Sequence, residues 1–386
     1  MARGALPRGI HARKGAVLGT EPHQMKSILF LPRPIGASVL SLLLTVGGAH
    51  VSDAAPTPKT GTPTVLTKPK ARVTLAFEPE QAGLDFQVQG EYAGEITGAD
   101  GATRKLGVQV IALGSGAFRA MFQAGGLPGE GWDGTPSIAV FGRTKDGQTS
   151  FAAPGGKGYS AAIVEGSLVG QTDNGEKFEL KKVLRQSPTL GAKPPVGALV
   201  LFDGTCLAAW QIGRMDRRKL LMASLPGATK VGAGALSKRS FRDFTLHIEF
   251  QEPFKPYGRG EVRGNSGVYL QERYEIQVLD SFGRPAAHGE CGGIFEQAAP
   301  RLNMCFPPLS WQTYDVDFQA ARFDGAGKKT RNAVVTVRHN GVPIHEKRPL
   351  LKPTLLGKPE TSAPGRLLLQ DHGEQVFYRN IWIVEK

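Results

Sequence analysis

Two segments of this chain carry polar side chains at alternate positions, in a pattern that could form an acid–base catalytic site. In YEIQVLDS, Glu275 and Gln277 alternate with apolar residues, and in LLLQDHG, Gln370 and His372 fall on one face of a strand. A histidine, whose ordinary pKa lies near neutral, and a carboxyl group are a common pair for proton transfer at neutral pH. The two segments therefore mark a candidate acid–base site, provided that their strands lie in one sheet.

Polar residues on a strand also have an interpretation that needs no function. The outer faces of a β-sandwich meet solvent, so Glu275 and Gln277 could simply be exposed. Two further polar residues belong to the same set, Asn265 in GNSGVYLQ and Asp280 in YEIQVLDS. The sequence leaves open whether this face is only solvated or forms the floor of a binding site.

The elements that must position these residues are strands. The 386-residue chain contains 50 Gly and 27 Pro, which favours many short strands joined by turns over long helices. Strand-like runs with Gly, Asp and Asn turns fill residues 71–185, where we find no convincing helix, and the same pattern resumes after residue 196. The pair Asn340–Gly341 predicts a two-residue type I′ turn. We therefore expect an all-β protein.

The N-terminal part of the chain has the features of a secretory signal. Lys26 and Arg33 precede the uncharged apolar stretch Gly36–Ala49, and Ser52–Ala54 provides small residues for cleavage. The apolar stretch is short for a membrane span, although an anchor that is never cleaved is the alternative. We expect Met25 to be the true start, the protein to be exported to a bacterial periplasm or the extracellular space, and no stable membrane span to remain after signal removal.

The expected organisation has five parts. They are a leader and signal peptide (1–55), a Pro/Thr/Lys tether (56–70), a smaller β-rich domain (71–185), a linker (186–196) and a larger β domain (197–386). Residues 1–54 hold six of the 47 Lys/Arg and two of the 34 Asp/Glu, and the remaining positive surplus is spread along the chain, without a basic helix or an Arg/Lys run interleaved with aromatic residues. We therefore expect no nucleic-acid partner.

Cysteines and histidines outside the polar strands give weaker signals. Cys291 and Cys305 flank one loop and either form a disulfide, with Cys206 free, or all three are buried thiols. We interpret His339 and His345, which flank the predicted turn, as hairpin surface rather than metal ligands. No serine nucleophile elbow, HExxH motif, phosphate-binding Gly loop, helix-opening GxGxxG or CxxC pair is present, which argues against the enzyme classes that use them.

Several motifs in the second half of the chain resemble a known family. They are FDGTCLAAW, FRDFTLHIEF, GNSGVYLQERYEIQVLDSFG, CGGIFEQAAP, WQTYDVDFQAARFD, VRHNGV and LLLQDHGEQVFYRNIWI. In this order they resemble the 3-keto-disaccharide hydrolase family, also described as the 3-keto-glucoside 1,2-lyase/3-keto-2-hydroxyglucal hydratase domain. The resemblance covers about residues 197–386 and implies a concanavalin-A-like (laminin G/glucanase-like) jelly-roll sandwich.

The resemblance also implies a reaction on a small carbohydrate substrate, a 3-keto-sugar. A ketone at carbon 3 makes the carbon-2 proton acidic, so a base can remove it, the aglycone can leave carbon 1, and water can add to the product. We assign His372 as the base and Glu275 as the acid. Substrate binding is assigned to Asn265, Gln277, Gln370 and Asp280. A divalent cation, held by His372 and Glu275 if present, is the alternative means of stabilising the enolate.

The chain departs from the family pattern at one place. Residues 251–264, QEPFKPYGRGEVRG, form a longer connection than the family leads us to expect, and we expect it to rim the pocket. The alternative to an enzyme is a non-catalytic carbohydrate-binding or cell-envelope module, because sandwiches of this shape also bind glycans without chemistry.

Overall fold

The fold follows from short runs of β-branched and aromatic residues that are interrupted by Gly, Asn and Asp turns. The computed structural model describes residues 74–132, 134–212, 231–232 and 234–386. They belong to one compact unit, Thr67–Lys386. The predicted signal, its cleavage site and the tether all lie outside the described residues.

The first eight strands form a closed antiparallel barrel in which each strand pairs with its neighbours in sequence. They are β1 Gly90–Thr97, β2 Thr103–Gly114, β3 Ala117–Ala124, β4 Ile138–Lys145, β5 Gln148–Ala152, β6 Tyr159–Val164, β7 Ser167–Thr172 and β8 Lys177–Val183. Pairing of β1 with β8, with Gly94 opposite Leu180, closes the barrel. Its interior is filled by apolar side chains such as Phe118 and Phe122.

The remaining strands build a sandwich of two larger sheets. They are β9 Leu199–Phe202, β10 Trp210–Ile212, β11 Val231–Gly232, β12 Ala235–Phe241, β13 Phe244–Gln251, β14 Ser266–Leu270, β15 Tyr274–Val278, β16 Gln312–Gln319, β17 Arg322–Phe323, β18 Lys329–Arg331, β19 Ala333–His339, β20 Val342–Leu350, β21 Gly365–Leu369 and β22 Phe377–Glu385. One sheet has the order β10-β12-β21-β14-β15, and the other has the order β11-β22-β13-β16-β19-β20, with β9 added beside β22. Strands β17 and β18 form a separate ribbon.

The two sheets of the sandwich enclose one apolar core. Ile276 of β15 and Ile248 of β13 are both completely buried, and the rings of Tyr274 and Phe318 approach across it with their centroids 5.8 Å apart. The apolar residues of each strand therefore face inward, as their alternation predicts. The polar residues between them, including Glu275, point to the outer faces.

One helix departs from the expectation that residues 71–185 contain none. Helix α1 spans Pro79–Val88, begins with a proline in its first turn, and is interrupted at Gly83, where φ is 73°. Ala82 is the only buried residue of this helix, and the helix has little amphipathic character. The sequence therefore showed no helical periodicity of apolar residues at this place. No helix among the described residues is long and apolar enough to cross a membrane.

The barrel and the sandwich interlock where the 251–264 loop meets β2. Phe254 of this loop packs in the barrel core, while Ile111 of β2 packs in the sandwich core. Ala76 and Phe254 exchange two backbone hydrogen bonds of 2.9 and 3.0 Å, and Arg263 donates to a carbonyl oxygen of β2. The longer loop therefore ties the two parts of the chain together.

The connection between barrel and sandwich lies across the outer face of the larger sheet. We call residues 187–192 the covering segment. The hydroxyl oxygens of Ser187 and Thr313 are 2.6 Å apart, and the Gly191 N–H donates to Glu249 at 2.5 Å. A stretch whose composition predicts only a linker is thus fastened along its length to strands β13 and β16.

The hairpin of β19 and β20 turns as predicted. His339 pairs with Val342, and the two residues between them, Asn340 and Gly341, have φ values of 49° and 80°. Both values are positive, as a type I′ turn requires. The expectation that the flanking histidines are hairpin surface is wrong, because His339 is completely buried and His345 is 3% exposed. The turn is packed against other parts of the sandwich, which local sequence does not reveal.

Candidate functional site

Strands β14, β15 and β21 lie side by side and bring the two polar segments together. In the antiparallel pair of β14 and β15, Tyr269 is opposite Glu275 and Gly267 is opposite Gln277. Strand β21 pairs with the other edge of β14, and just beyond it the Gln370 N–H donates to the Gly267 carbonyl oxygen at 2.8 Å. Residues nearly a hundred positions apart in sequence therefore share one face of one sheet.

A surface cavity of about 120 Å³ opens on this face. Five of the six residues predicted from the sequence line it. The complete lining is Glu261, Asn265, Tyr269, Glu275, Gln277, Phe295, Leu355, Leu356, Gln370 and His372. The residues selected from the sequence thus contribute one carboxyl group, one imidazole and three amides to the lining.

Glu275 lies at the floor of the cavity and is buried, with 3% of its surface exposed. The interpretation that Glu275 is simply exposed to solvent is therefore wrong, because residues from distant loops cover the face. The Tyr269 hydroxyl donates to Glu275 Oε2 at 2.8 Å, and the Glu275 N–H donates to Thr354 Oγ1 at 3.0 Å. Burial raises the pKa of Glu275 to about 7, the nearby Glu261 adds to the rise, and the Tyr269 hydrogen bond opposes it.

Gly267 makes room for this carboxyl group. A β-carbon placed on Gly267 would lie 2.1 Å from Glu275 Oε1, closer than any real contact allows. Only glycine therefore lets Glu275 fold back over β14 toward Tyr269. The glycine of the NSG motif is thus explained by the carboxyl group on the neighbouring strand.

Three amide oxygens that line the cavity have no hydrogen-bond partner within the described residues. They are Asn265 Oδ1, Gln277 Oε1 and Gln370 Oε1. A buried polar atom without a partner is costly, by about 1–3 kcal/mol. Three residues with such acceptors around one space favour a ligand that donates several hydrogen bonds, as the hydroxyl groups of a sugar do.

His372 and the apolar residues form the rim. His372 is exposed, follows β21 in sequence, and lines the cavity together with Gln370. Leu356 is 84% exposed and lies beside Leu355, and Phe295 on the opposite loop is half-buried. The reacting part of a ligand would thus meet polar groups in the interior, while its outer part would meet an apolar edge.

Sequence reasoning missed three kinds of residue at this site. Tyr269 alternates with apolar neighbours in GNSGVYLQ, so its position on the same face as Glu275 was available from the pattern of β14. Glu261 belongs to the 251–264 loop, which lines the cavity through this residue, as expected. Leu355 and Leu356 lie in an irregular stretch with no periodic signal, so nothing in the sequence singled them out.

Asp280 is the one predicted site residue that does not line the cavity. Its carboxyl group accepts a hydrogen bond from Arg263 Nε at 2.6 Å and another from the Phe282 N–H at 3.3 Å. Arg263 in turn reaches a carbonyl oxygen of β2. Asp280 lies beyond the end of β15, so the alternation of that strand no longer sets its direction. It forms a buried ion pair with Arg263 beside the barrel.

The cavity does not gather a set of three metal ligands. Among the described residues, the group of His, Cys, Asp and Glu whose ligand atoms converge is Glu252, Cys291 and Cys305, which lies elsewhere. Glu275 and His372 both line the cavity but form no such set with a third residue. The described residues at this site therefore do not match the cation alternative.

Two roomier cavities, of about 400 and 410 Å³, lie along β20. Arg348 and Pro349 line both of them, and none of the six predicted site residues lines either. Size alone would favour these cavities. The smaller one is the better candidate because a buried carboxyl group with a shifted pKa and several unpaired acceptors converge there.

Comparison with protein families identifies the sandwich. Residues 197–384 match the model of the 3-keto-alpha-glucoside-1,2-lyase-like domain. The chain belongs to this family. The match covers β9 to β22 except for the last residue of β22, and so includes every strand that contributes to the cavity.

Two similar solved structures come from one bacterium. A "putative glycosyl hydrolase" from Parabacteroides distasonis ATCC 8503 is 35% identical, with 50% of this chain and 85% of that chain covered and a TM-score of 0.44. A second structure of the same description and organism is 14% identical, with coverages of 49% and 94% and a TM-score of 0.33. Comparison with curated proteins finds no match. The family and its cavity together indicate a protein that acts on carbohydrates.

Proposed function

We propose that this chain cleaves 3-keto-glycosides by removing the proton at carbon 2, expelling the aglycone and hydrating the resulting 2-hydroxyglucal. The observation that carries the proposal is Glu275, a buried carboxyl group whose pKa is raised to about 7, beside three unpaired amide oxygens. A sugar-binding module needs the acceptors but has no need of a titratable group poised near neutral pH.

The first step is proton abstraction. The amide groups of Asn265, Gln277 and Gln370 hold the sugar hydroxyls and the carbon-3 ketone. His372 takes the proton from carbon 2, and the electron pair of that bond moves toward the ketone to give an enolate. This step requires a base within reach of carbon 2, and the His372 imidazole lines the cavity that would hold the sugar.

The second step breaks the glycosidic bond. The enolate electrons return to form a double bond between carbons 1 and 2, the bond from carbon 1 to the aglycone oxygen breaks, and Glu275 protonates that oxygen. With a pKa of about 7, a large fraction of Glu275 still carries its proton at neutral pH. An exposed carboxyl group of ordinary pKa would already be ionised.

The third step adds water. The Glu275 carboxylate accepts a proton from water as its oxygen attacks carbon 1, and protonated His372 returns a proton to carbon 2. Both residues end in their starting protonation states, and the net reaction is hydrolysis of the 3-keto-glycoside to a 3-keto-sugar and the free aglycone.

The experiment is incubation of the full chain with a 3-keto-glucoside or 3-keto-trehalose in heavy water, beside the unoxidised parent glycoside. We expect release of the aglycone from the keto substrate only, with one deuterium fixed at carbon 2 of the released sugar above the no-enzyme control. Cleavage without deuterium would mean direct displacement. Binding without cleavage would favour a non-catalytic carbohydrate-binding or cell-envelope module.

Two further assignments belong to this proposal. The two antiparallel sheets with a polar outer-face cavity support a concanavalin-A-like (laminin G/glucanase-like) jelly roll for residues 197–386. The basic residues, apolar stretch and small residues near position 54 support export to the periplasm or beyond. Mass spectrometry of the native protein should then find an N-terminus close to Ala55, and an intact cytosolic chain would contradict export.

A further inference from the structure

Three side chains that the reaction does not use converge inside the sandwich. Glu252 directly follows β13, Cys291 lies in the Gly-rich loop after β15, and Cys305 lies in the loop before β16. Glu252 and Cys291 are completely buried and Cys305 is 2% exposed, whereas the third cysteine, Cys206, is exposed. All three cysteines are free thiols.

The ligand atoms of these residues are arranged as a metal site requires. They all lie within 4.8 Å of one another, and Glu252 Oε1 is 3.9 Å from Cys291 Sγ. In a tetrahedral zinc site, bonds of about 2.3 Å to sulfur and about 2.1 Å to oxygen separate those two ligands by about 3.6 Å. Shifts of a few tenths of an ångström would therefore bring the set to coordination geometry.

A neutral amide is a side-chain donor to the carboxyl group of this cluster. Gln312 Nε2 donates to Glu252 Oε2 at 2.7 Å, but no basic side chain of the described residues forms an ion pair with Glu252. A divalent cation bound between Glu252 and the two cysteines would serve as the ionic partner of the Glu252 carboxylate.

We propose that Glu252, Cys291 and Cys305 bind a zinc ion in the interior of the sandwich. Two thiolates and one carboxylate suit zinc better than magnesium or calcium, which prefer oxygen ligands alone. Tyr314 Oη lies 3.2 Å from Cys291 Sγ and adds an oxygen beside the set. Binding releases the protons of the two thiols and of the carboxyl group.

The position of the site assigns it a structural role. None of its three residues lines the Glu275 cavity, so the ion would not meet the sugar. It would instead join the end of β13 to the two loops that precede β16. Because the ligands are buried, the ion must enter while the chain folds, and its binding free energy adds to folding.

The test uses the full chain refolded with one equivalent of zinc and then freed of excess metal by dialysis. Elemental analysis should find one zinc per chain in the wild type and in Cys206→Ser, the matched control. Cys291→Ser and Glu252→Gln should each bind at least tenfold more weakly in competition with a chromophoric chelator. A folded wild-type chain that retains no zinc would overturn the proposal.

Cobalt gives a second measurement that does not depend on folding of the variants. Refolding the wild type with cobalt should produce thiolate-to-cobalt charge-transfer absorption in the near ultraviolet and the visible bands of tetrahedral cobalt. A folded chain without these bands would contradict the site. A Cys291–Cys305 disulfide, which mass spectrometry would detect as the loss of two hydrogen atoms, would equally exclude it if the native protein contained that bond.

Discussion

Two buried glutamates on opposite outer faces of the sandwich have opposite ionisation. Glu275, on the smaller sheet, has a pKa raised to about 7, because burial dominates and, among the described residues, only Tyr269 donates a side-chain hydrogen bond to its carboxyl group. Glu249, on the larger sheet, is completely buried. Its pKa is nevertheless lowered to about 2, since hydrogen bonds outweigh the effect of burial.

The difference lies in the groups that cover each face. Over Glu249, the covering segment supplies the Gly191 N–H, β22 supplies Arg379 and Asn380, and His247 lies beside it on β13. The His247 ring also bonds to a carboxylate of β16 and stacks on an indole of β22. Over Glu275, loops leave a cavity. A polar strand face can therefore be closed by hydrogen bonds, as it is at Glu249, or leave a cavity, as it does at Glu275. The segments that pack over the face decide between these two outcomes.

The largest expected effect would separate the two faces by activity. His372→Ala and Glu275→Gln should each lower the turnover of a 3-keto-glycoside by about 10²–10⁴-fold, because each removes a proton-transfer group. Glu249→Gln should leave the turnover of the folded protein unchanged, because Glu249 does not line the cavity. Initial rates measured on the three purified variants decide the matter. If His372→Ala and Glu275→Gln both kept wild-type turnover, the proposed mechanism would be wrong.

The next effect concerns the inner face beside Glu275. Ile276→Ala should cost about 2–5 kcal/mol in the free energy of unfolding, because Ile276 is completely buried in the sandwich core. Denaturant titration measures this cost, and the turnover of the folded fraction should persist. Ile276→Val, as a control, should cost about 0.5–1.5 kcal/mol. A smaller cost for the alanine variant than for Glu249→Gln would contradict the inward orientation.

The smallest effect is the dependence of stability on pH, for which the two glutamates should have opposite signs. The pKa of Glu249 falls from 4.5 to about 2 on folding, so its contribution of about 3 kcal/mol is present above pH 4.5 and is lost as the pH falls toward 2. The pKa of Glu275 rises from 4.5 to about 7, so its contribution is present below pH 4.5 and is lost as the pH rises through 7.

The two Gln variants test these signs. At pH 8, Glu249→Gln should be less stable than wild type, and Glu275→Gln should be at least as stable, as measured by the midpoint of urea unfolding. At pH 4 the advantage of Glu275→Gln should disappear, because the wild-type carboxyl group is then protonated. Equal changes in both variants at pH 8 would show that the two faces do not differ in ionisation.

Much of the site could be predicted from the sequence because its determinants are local. Alternation placed Glu275 and Gln277 on one face of β15, and the family motifs ordered the strands of the sandwich. The prediction that Gln370 and His372 share a face of a strand was wrong, because β21 ends at Leu369 and both residues follow it. The cavity then gathers all four, together with Asn265. The type I′ turn at Asn340–Gly341 was equally local, since it depends on two adjacent residues that tolerate positive φ.

Burial and pairing could not be predicted, because segments far away in the chain decide them. The sequence did not show that loops cover Glu275, that the covering segment seals the face of Glu249, or that Asp280 turns away to Arg263. Alternation by itself determined which side chains share a face. Only the tertiary structure decided whether that face is open, because ionisation and access to a ligand depend on atoms that pack onto it from elsewhere.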